Sequence, residues 1–315
     1  MTKIKPLRKG DTIGIISPAF GTTKKIEEYK YMVDYLENEG YKVKLGRSNY
    51  ERMGYLSGTD EVRARDINEM FEDKDVKAII CMRGGYGCSR IVDKLDYEMI
   101  KKNPKILSGY SDITVLLNAI YRKCDFPSWH GLISCYLGQA GKDPRSIEDF
   151  KTALTTPQYG RVLKNLNEGA ETLVSGKAEG VLVGGNLSLL ATLCGSPYEV
   201  DFTDKIVFIE EVGEEPYQID RYFSCLRLRG MLEKARGYVF GYFTSCTPSE
   251  SRKNDQTTLD IVKDYFASLG KPVMYGFSCG HQDPFVSLPI GVKVKMNADD
   301  FTITIMEEIY ETSTD

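Results

Sequence analysis

The sequence predicts an α/β fold. An N-terminal α/β domain with a mostly parallel sheet is followed by a smaller C-terminal α/β domain that ends in a β-hairpin. Three observations predict it. Short apolar runs of strand length alternate with amphipathic helical stretches from residue 12 to residue 124, the pattern of a parallel sheet covered by helices. A polar, Gly- and Pro-rich stretch interrupts the alternation between residues 140 and 178. The alternation then resumes and closes on a period-two run at 286–307. The domains are accordingly set at 1–150 and 178–315, with 151–177 as an interdomain crossover.

TIGIIS at 12–17 reads as the first buried strand. The stretch 24–39 places Tyr29, Met32, Val33 and Leu36 on one helical face. YKVKLG at 41–46 is a short strand, 61–71 a charged helix, and VKAIICM at 76–82 a second buried strand ending in glycines. KILSGYSD at 105–112 is a third, running straight into the helical pattern ITVLLNAIYRK. A helix near 146–154 precedes the crossover. Beyond it, strands are expected near 179–183, 205–210, 236–240 and 272–276, with helices near 186–194, 216–228 and 257–268. The alternating end of the chain, with a turn at NADD, reads as the hairpin.

Composition narrows the function classes. The chain of 315 residues carries 42% hydrophobic and 27% charged residues, ordinary for a globular protein. A formal net charge of −4 lacks the basic excess of a general nucleic-acid binder. The apolar run at 12–18 is too short for a signal-peptide core, and no run of about 18 apolar residues suggests a membrane span. The eight cysteines are scattered through apolar segments, which argues for reduced thiols and a cytoplasmic location.

Only two histidines, His130 and His281, can supply a neutral-pH base. With no HExxH, HxH or CxxC pattern, neither a metal site nor a cofactor is expected. Ser111, in GYSD, sits where a strand ends and a helix begins, a place that lifts a side chain off the sheet. It reads either as a nucleophile or, with Asp112, as a helix cap. In Arg83-Gly84-Gly85-Tyr86-Gly87, paired glycines could present backbone N–H groups to an anion, or form a plain turn. GGNLS at 184–188 carries the same ambiguity. Glu210 and Glu211 end a strand, a position suited to orienting an imidazole, but strand parity puts them on opposite faces without choosing between them. His130 reads equally well as a structural hydrogen-bonder.

Taken together, SPAF at 17–20, YLSGTDEVRARDIN at 55–68, RGGYG, GYSD, HG at 130–131, GGNLS, IEEVGEEPYQIDR at 209–221, FG at 240–241 and GHQDPFVSLPIG at 280–291 resemble the LD-carboxypeptidase family of serine peptidases, in the family's order. The resemblance implies Ser111 as nucleophile, His281 as general base and Glu210 as its orienting carboxylate. It implies an oxyanion hole from the backbone N–H groups of Gly85 and Asp112. It further implies an active site where the two domains meet, and a homodimer.

The family holds two substrate readings. One is hydrolysis of the bond between an L-amino acid and a terminal D-amino acid of murein tetrapeptides during cell-wall recycling. The other is microcin C immunity, the cleavage of aminoacyl-nucleotide-like toxins, in which relatives stack a base on aromatics of the interdomain loop. Here the single tryptophan is Trp129 and 155–178 offers Tyr159 alone, which favours the murein peptide. A non-catalytic ligand-binding protein on the same fold is the third reading. A carboxypeptidase must also grip a free C-terminus. Arg83 is the candidate cation, the alternative being that it braces the glycine loop.

Overall fold

A computed structural model describes residues 1–22 and 25–311. The described residues divide into two compact units, one within 1–158, 287–291 and 308–315, the other within 159–286 and 292–307.

The first unit is built on a six-stranded sheet in the order Lys42–Leu45, Thr12–Ile16, Val76–Cys81, Ile106–Gly109, Ser128–His130, Leu288–Ile290. Every neighbouring pair is parallel except the last. The register sets Ile16 opposite Cys81 and Gly109 opposite His130, so the loops after these strands leave from one edge. That carboxyl edge is where α/β sheets assemble ligand sites. Ile106–Gly109 and Ser128–His130 are wholly buried, as the central strands of a sheet covered on both faces are. The helix Asp60–Glu72 is capped by Thr59, whose hydroxyl accepts from Val62 N at 3.4 Å. Pro144–Thr155 is capped by Asp143.

The expected first helix is shorter and broken. A 3-10 turn at Ile26–Tyr29 leads into an α-helix at Lys30–Asn38. Met32 and Leu36 are buried, whereas Tyr29 and Val33 are only partly covered. Lys24, its expected start, lies outside the described residues.

The second unit holds an eight-stranded sheet. Its parallel centre is Lys177–Asn186, Lys205–Val212, Gly237–Thr244 and Val273–Tyr275, flanked by Pro216–Leu228 and the other helices expected there. Within 151–177 two short strands appear, Val162–Lys164 and Glu171–Val174, at the two edges of this sheet. Half-exposed edge strands lack the apolar signature that marks a core strand. The closing hairpin is confined to Lys293–Asn297 and Thr302–Ile305. Leu288–Ile290, which the same alternation includes, pairs instead with Ser128–His130. The break falls at Gly291, with φ +88°, where a Cβ would lie 2.4 Å from the Tyr121 ring. Among the described residues no helix is long and apolar enough to cross a membrane. Cys81, Cys88, Cys124, Cys246 and Cys279 are buried free thiols.

Candidate active site

The strand Ile106–Gly109 ends at Tyr110, still extended, and the backbone then reverses at Ser111 with φ +66°. A non-glycine residue in this left-handed region costs about 1–3 kcal/mol and persists only where its surroundings impose it. Ser111 opens a 3-10 turn, Ser111–Ile113, that runs into the helix Thr114–Cys124. Neither turn nor helix has a side-chain cap, so the capping alternative for Ser111 and Asp112 is not realised. The geometry is instead that of a serine lifted out at a strained strand-to-helix turn.

The glycine loop lies against this turn. A Cβ on Gly84 would fall 2.7 Å from Ser111 Cβ and 3.0 Å from its Oγ. Glycine is thus required for the loop to approach the hydroxyl. Gly85 takes φ +118°, and its would-be Cβ would strike the Phe20 ring at 2.3 Å. On the far side, the fully buried Asp112 accepts from Cys88 N at 2.8 Å through Oδ2. Burial pushes the Asp112 carboxyl up to about 6, against the lowering effect of its bonds to Cys88. Arg83 is half-buried, and its Nη1 donates to the Gly21 carbonyl at 3.4 Å.

In the second unit, Glu210 and Glu211 point to opposite faces of Lys205–Val212, and packing makes the choice that parity could not. Glu210, fully buried, meets His281 Nδ1 through Oε2 at 2.6 Å. Gly280, at φ +127°, makes the approach possible, because a Cβ there would sit 3.0 Å from Glu210 Oε2. The histidine loop is fixed from behind, where Tyr242 N donates to Cys279 O at 2.8 Å. Gly241 leaves room for that same carbonyl, which a Cβ would meet at 2.3 Å. Burial of His281 works to lower its pKa, but the charge and hydrogen bond of Glu210 outweigh it, and the net direction is upward. With Nδ1–H directed at a carboxylate, Nε2 becomes the nitrogen suited to take a proton.

Glu211 turns the other way. It accepts from Asn186 Nδ2 at 2.7 Å, Val212 N at 2.8 Å and Ser188 N at 2.8 Å. Burial, then the neighbouring Glu210 charge, push its carboxyl up to about 7. GGNLS is thereby explained as packing and capping: a Cβ on Gly184 would fall 2.0 Å from Phe208 O, and Asn186 caps Leu187–Thr192. His130 is buried within the first sheet, opposite Leu288, its ring 5.9 Å from that of Tyr110. The spacer roles of Gly84, Gly241 and Gly280 were missed in the sequence. Their only signal was position beside a candidate residue.

A strained serine beside a glycine loop, and an imidazole oriented by a buried carboxylate, are the parts of a serine hydrolase. The comparisons with known proteins agree. Residues 13–131 match the LD-carboxypeptidase N-terminal domain and residues 179–296 the LD-carboxypeptidase C-terminal domain. The chain is 40% identical over 312 residues to the probable murein peptide carboxypeptidase of Bacillus subtilis, covering 98% of this chain and 96% of that one. It is 31% identical over 340 residues to the microcin C7 self-immunity protein MccF of Escherichia coli, covering 98% and 96%. Among solved structures, MccF in complex with aspartyl sulfamoyl adenosine matches with a TM-score of 0.89 at 28% identity, covering 99% and 100%. The muramoyltetrapeptide carboxypeptidase of Oxalobacter formigenes matches with a TM-score of 0.83 at 27% identity, covering 96% and 100%. The chain therefore belongs to the LD-carboxypeptidase family and is a serine-type carboxypeptidase.

Proposed function

We propose that the protein hydrolyses the amide bond before the terminal D-amino acid of murein tetrapeptides, acting in the cytoplasm as a homodimer during cell-wall recycling. The observation that carries the mechanism is the 2.6 Å bond between buried Glu210 and His281 Nδ1. It fixes the tautomer that a general base needs.

In this reading Ser111 Oγ attacks the amide carbonyl as His281 Nε2 takes its proton, and Glu210 steadies the imidazolium. The amides of Gly85 and Asp112 receive the oxyanion; losing one such donor costs about 3–4 kcal/mol of barrier. His281 then protonates the leaving amine of the D-amino acid, and the C–N bond breaks. Water, deprotonated by the same imidazole, attacks the acyl-enzyme and restores Ser111 with its proton. The N-terminal half supplies the nucleophile and the C-terminal half the base and its carboxylate. The chemistry draws on no metal, so turnover should survive a strong chelator.

The murein substrate is supported by the relative at 40% identity and by the scarcity of aromatics at 155–178. The MccF likeness supports a second reading, cleavage of an aminoacyl-nucleotide-like toxin. One assay separates them. Purified protein is given a murein tetrapeptide and, separately, an aminoacyl sulfamoyl adenosine, with Ser111→Ala as the blank. Release of D-alanine from the first at the higher kcat/KM is expected. Faster cleavage of the second would reverse the assignment.

Arg83 is proposed to bind the substrate's terminal carboxylate. Arg83→Lys should then weaken turnover of the free acid more than that of its C-terminal amide. Equal losses would assign Arg83 to bracing Gly21 instead.

A further inference from the structure

Arg63 stands in the charged helix Asp60–Glu72, yet it is fully buried. Its Nη1 donates to two carbonyls at once, Pro18 O at 2.6 Å and Gly87 O at 2.9 Å. Its Nη2 is paired with Asp60, which also takes Arg90 through two bonds of 3.0 Å. The two carbonyls belong to the two loops that enclose Gly85. Pro18 leads to Phe20, whose ring lies under Gly85 and whose N–H donates to Gly84 O at 3.4 Å. Gly87 closes the glycine loop, with φ +140°, and a Cβ there would fall 2.7 Å from Arg63 Nη1.

We propose that Arg63 is a positioning residue whose guanidinium sets the aim of the Gly85 N–H by locking the Pro18 and Gly87 carbonyls on either side of it. The inference rests on the assignment of that amide to the oxyanion. A buried cation is a poor way merely to fill a core, since apolar residues of the same volume do so at no desolvation cost. A planar fork of donors is, however, suited to holding two carbonyls and one carboxylate in fixed directions. Asp112 completes the grip by holding Cys88 N from the opposite side, at 2.8 Å. The peptide that closes the glycine loop is thus held at both its edges, and Gly84 of the same loop lies against Ser111.

Arg63→Lys keeps the charge but loses the fork. Asp60→Asn, at a carboxylate 17% exposed, leaves Arg63 in place but removes the charge that anchors its Nη2. Each variant is treated with a fluorophosphonate, and intact mass gives both the rate constant and the final labelled fraction. A tetrahedral phosphonyl group draws on the same oxyanion donors. Arg63→Lys should react about 100-fold more slowly and Asp60→Asn about 10-fold, both reaching the wild-type final fraction. A purely structural role would lower the final fraction with the folded population and leave the rate constant unchanged, which would overturn the proposal. If Arg63→Lys does not fold, Asp60→Asn decides by the same criterion. A wild-type chain that takes no label at Ser111 would remove the oxyanion reading itself, and the clamp with it.

Discussion

The two halves of the chain hold their candidate groups by different physics. Around Ser111 the constraint is shape: a left-handed serine, a glycine whose Cβ would lie 2.7 Å from it, and a Gly85 pressed on Phe20. Around His281 the constraint is charge: a buried carboxylate at 2.6 Å, with a second carboxylate, Glu211, on the opposite face of the same strand. The difference predicts how each half fails. Changes in the first should cost rate without moving the pH profile, and changes in the second should move both.

The largest loss should come from His281→Ala. Removing a triad base typically lowers kcat by about 10⁶, and circular dichroism should remain native. Residual turnover within about tenfold of wild type would exclude His281 as the base. Glu210→Gln should cost about 10⁴ in kcat, the penalty for a mis-set tautomer. It should also shift the acidic limb of kcat/KM. The base must be neutral, and Glu210 raises its pKa above the ordinary 6.5. Without that charge only burial and the more distant Glu211 remain, so the limb should move to lower pH. A limb that stays put would break the electrostatic half of the comparison.

Gly84→Ala tests the other half. Displacing the loop from Ser111 should cost about 10²–10³ in kcat, comparable to losing an oxyanion donor, with the pH limb unmoved. A shifted limb would show that the halves are not separable in this way.

The smallest effect is on stability. Asp112 has a folded pKa of about 6 against an ordinary 3.8. The native state therefore binds more protons than the unfolded state between these values, and stability falls as pH rises through that window. Asp112→Asn retains an acceptor for Cys88 N but cannot ionise. Relative to wild type it should gain on the order of 3 kcal/mol between pH 3 and pH 7 in urea titrations. An equal difference at both pH values would contradict the burial argument.

Much of this was legible in the residues. Thr12–Ile16 and Val76–Cys81 announced themselves because burial demands near-unbroken apolar runs, and two histidines left few candidates for a base. What stayed hidden depends on non-local packing. Val162–Lys164 and Glu171–Val174 are edge strands without an apolar code. Leu288–Ile290 carries the right alternation, but periodicity names a face and not a sheet. Glu210 was separable from Glu211 only by the family resemblance, since the room that Gly280 leaves is a tertiary fact. Arg63 was the most opaque, because a charged residue in a charged helix reads as solvated until loops close over it.

The central claim is that Ser111 is a nucleophile activated by the Glu210–His281 pair. The most direct test is the pH dependence of fluorophosphonate labelling, with the modified residue located by peptide mapping. The account predicts a single adduct on Ser111 and a rate that rises with pH through one ionisation above 6.5. It also predicts a collapse of that rate in His281→Ala. An adduct on another residue, or a rate indifferent to both pH and His281, would contradict it.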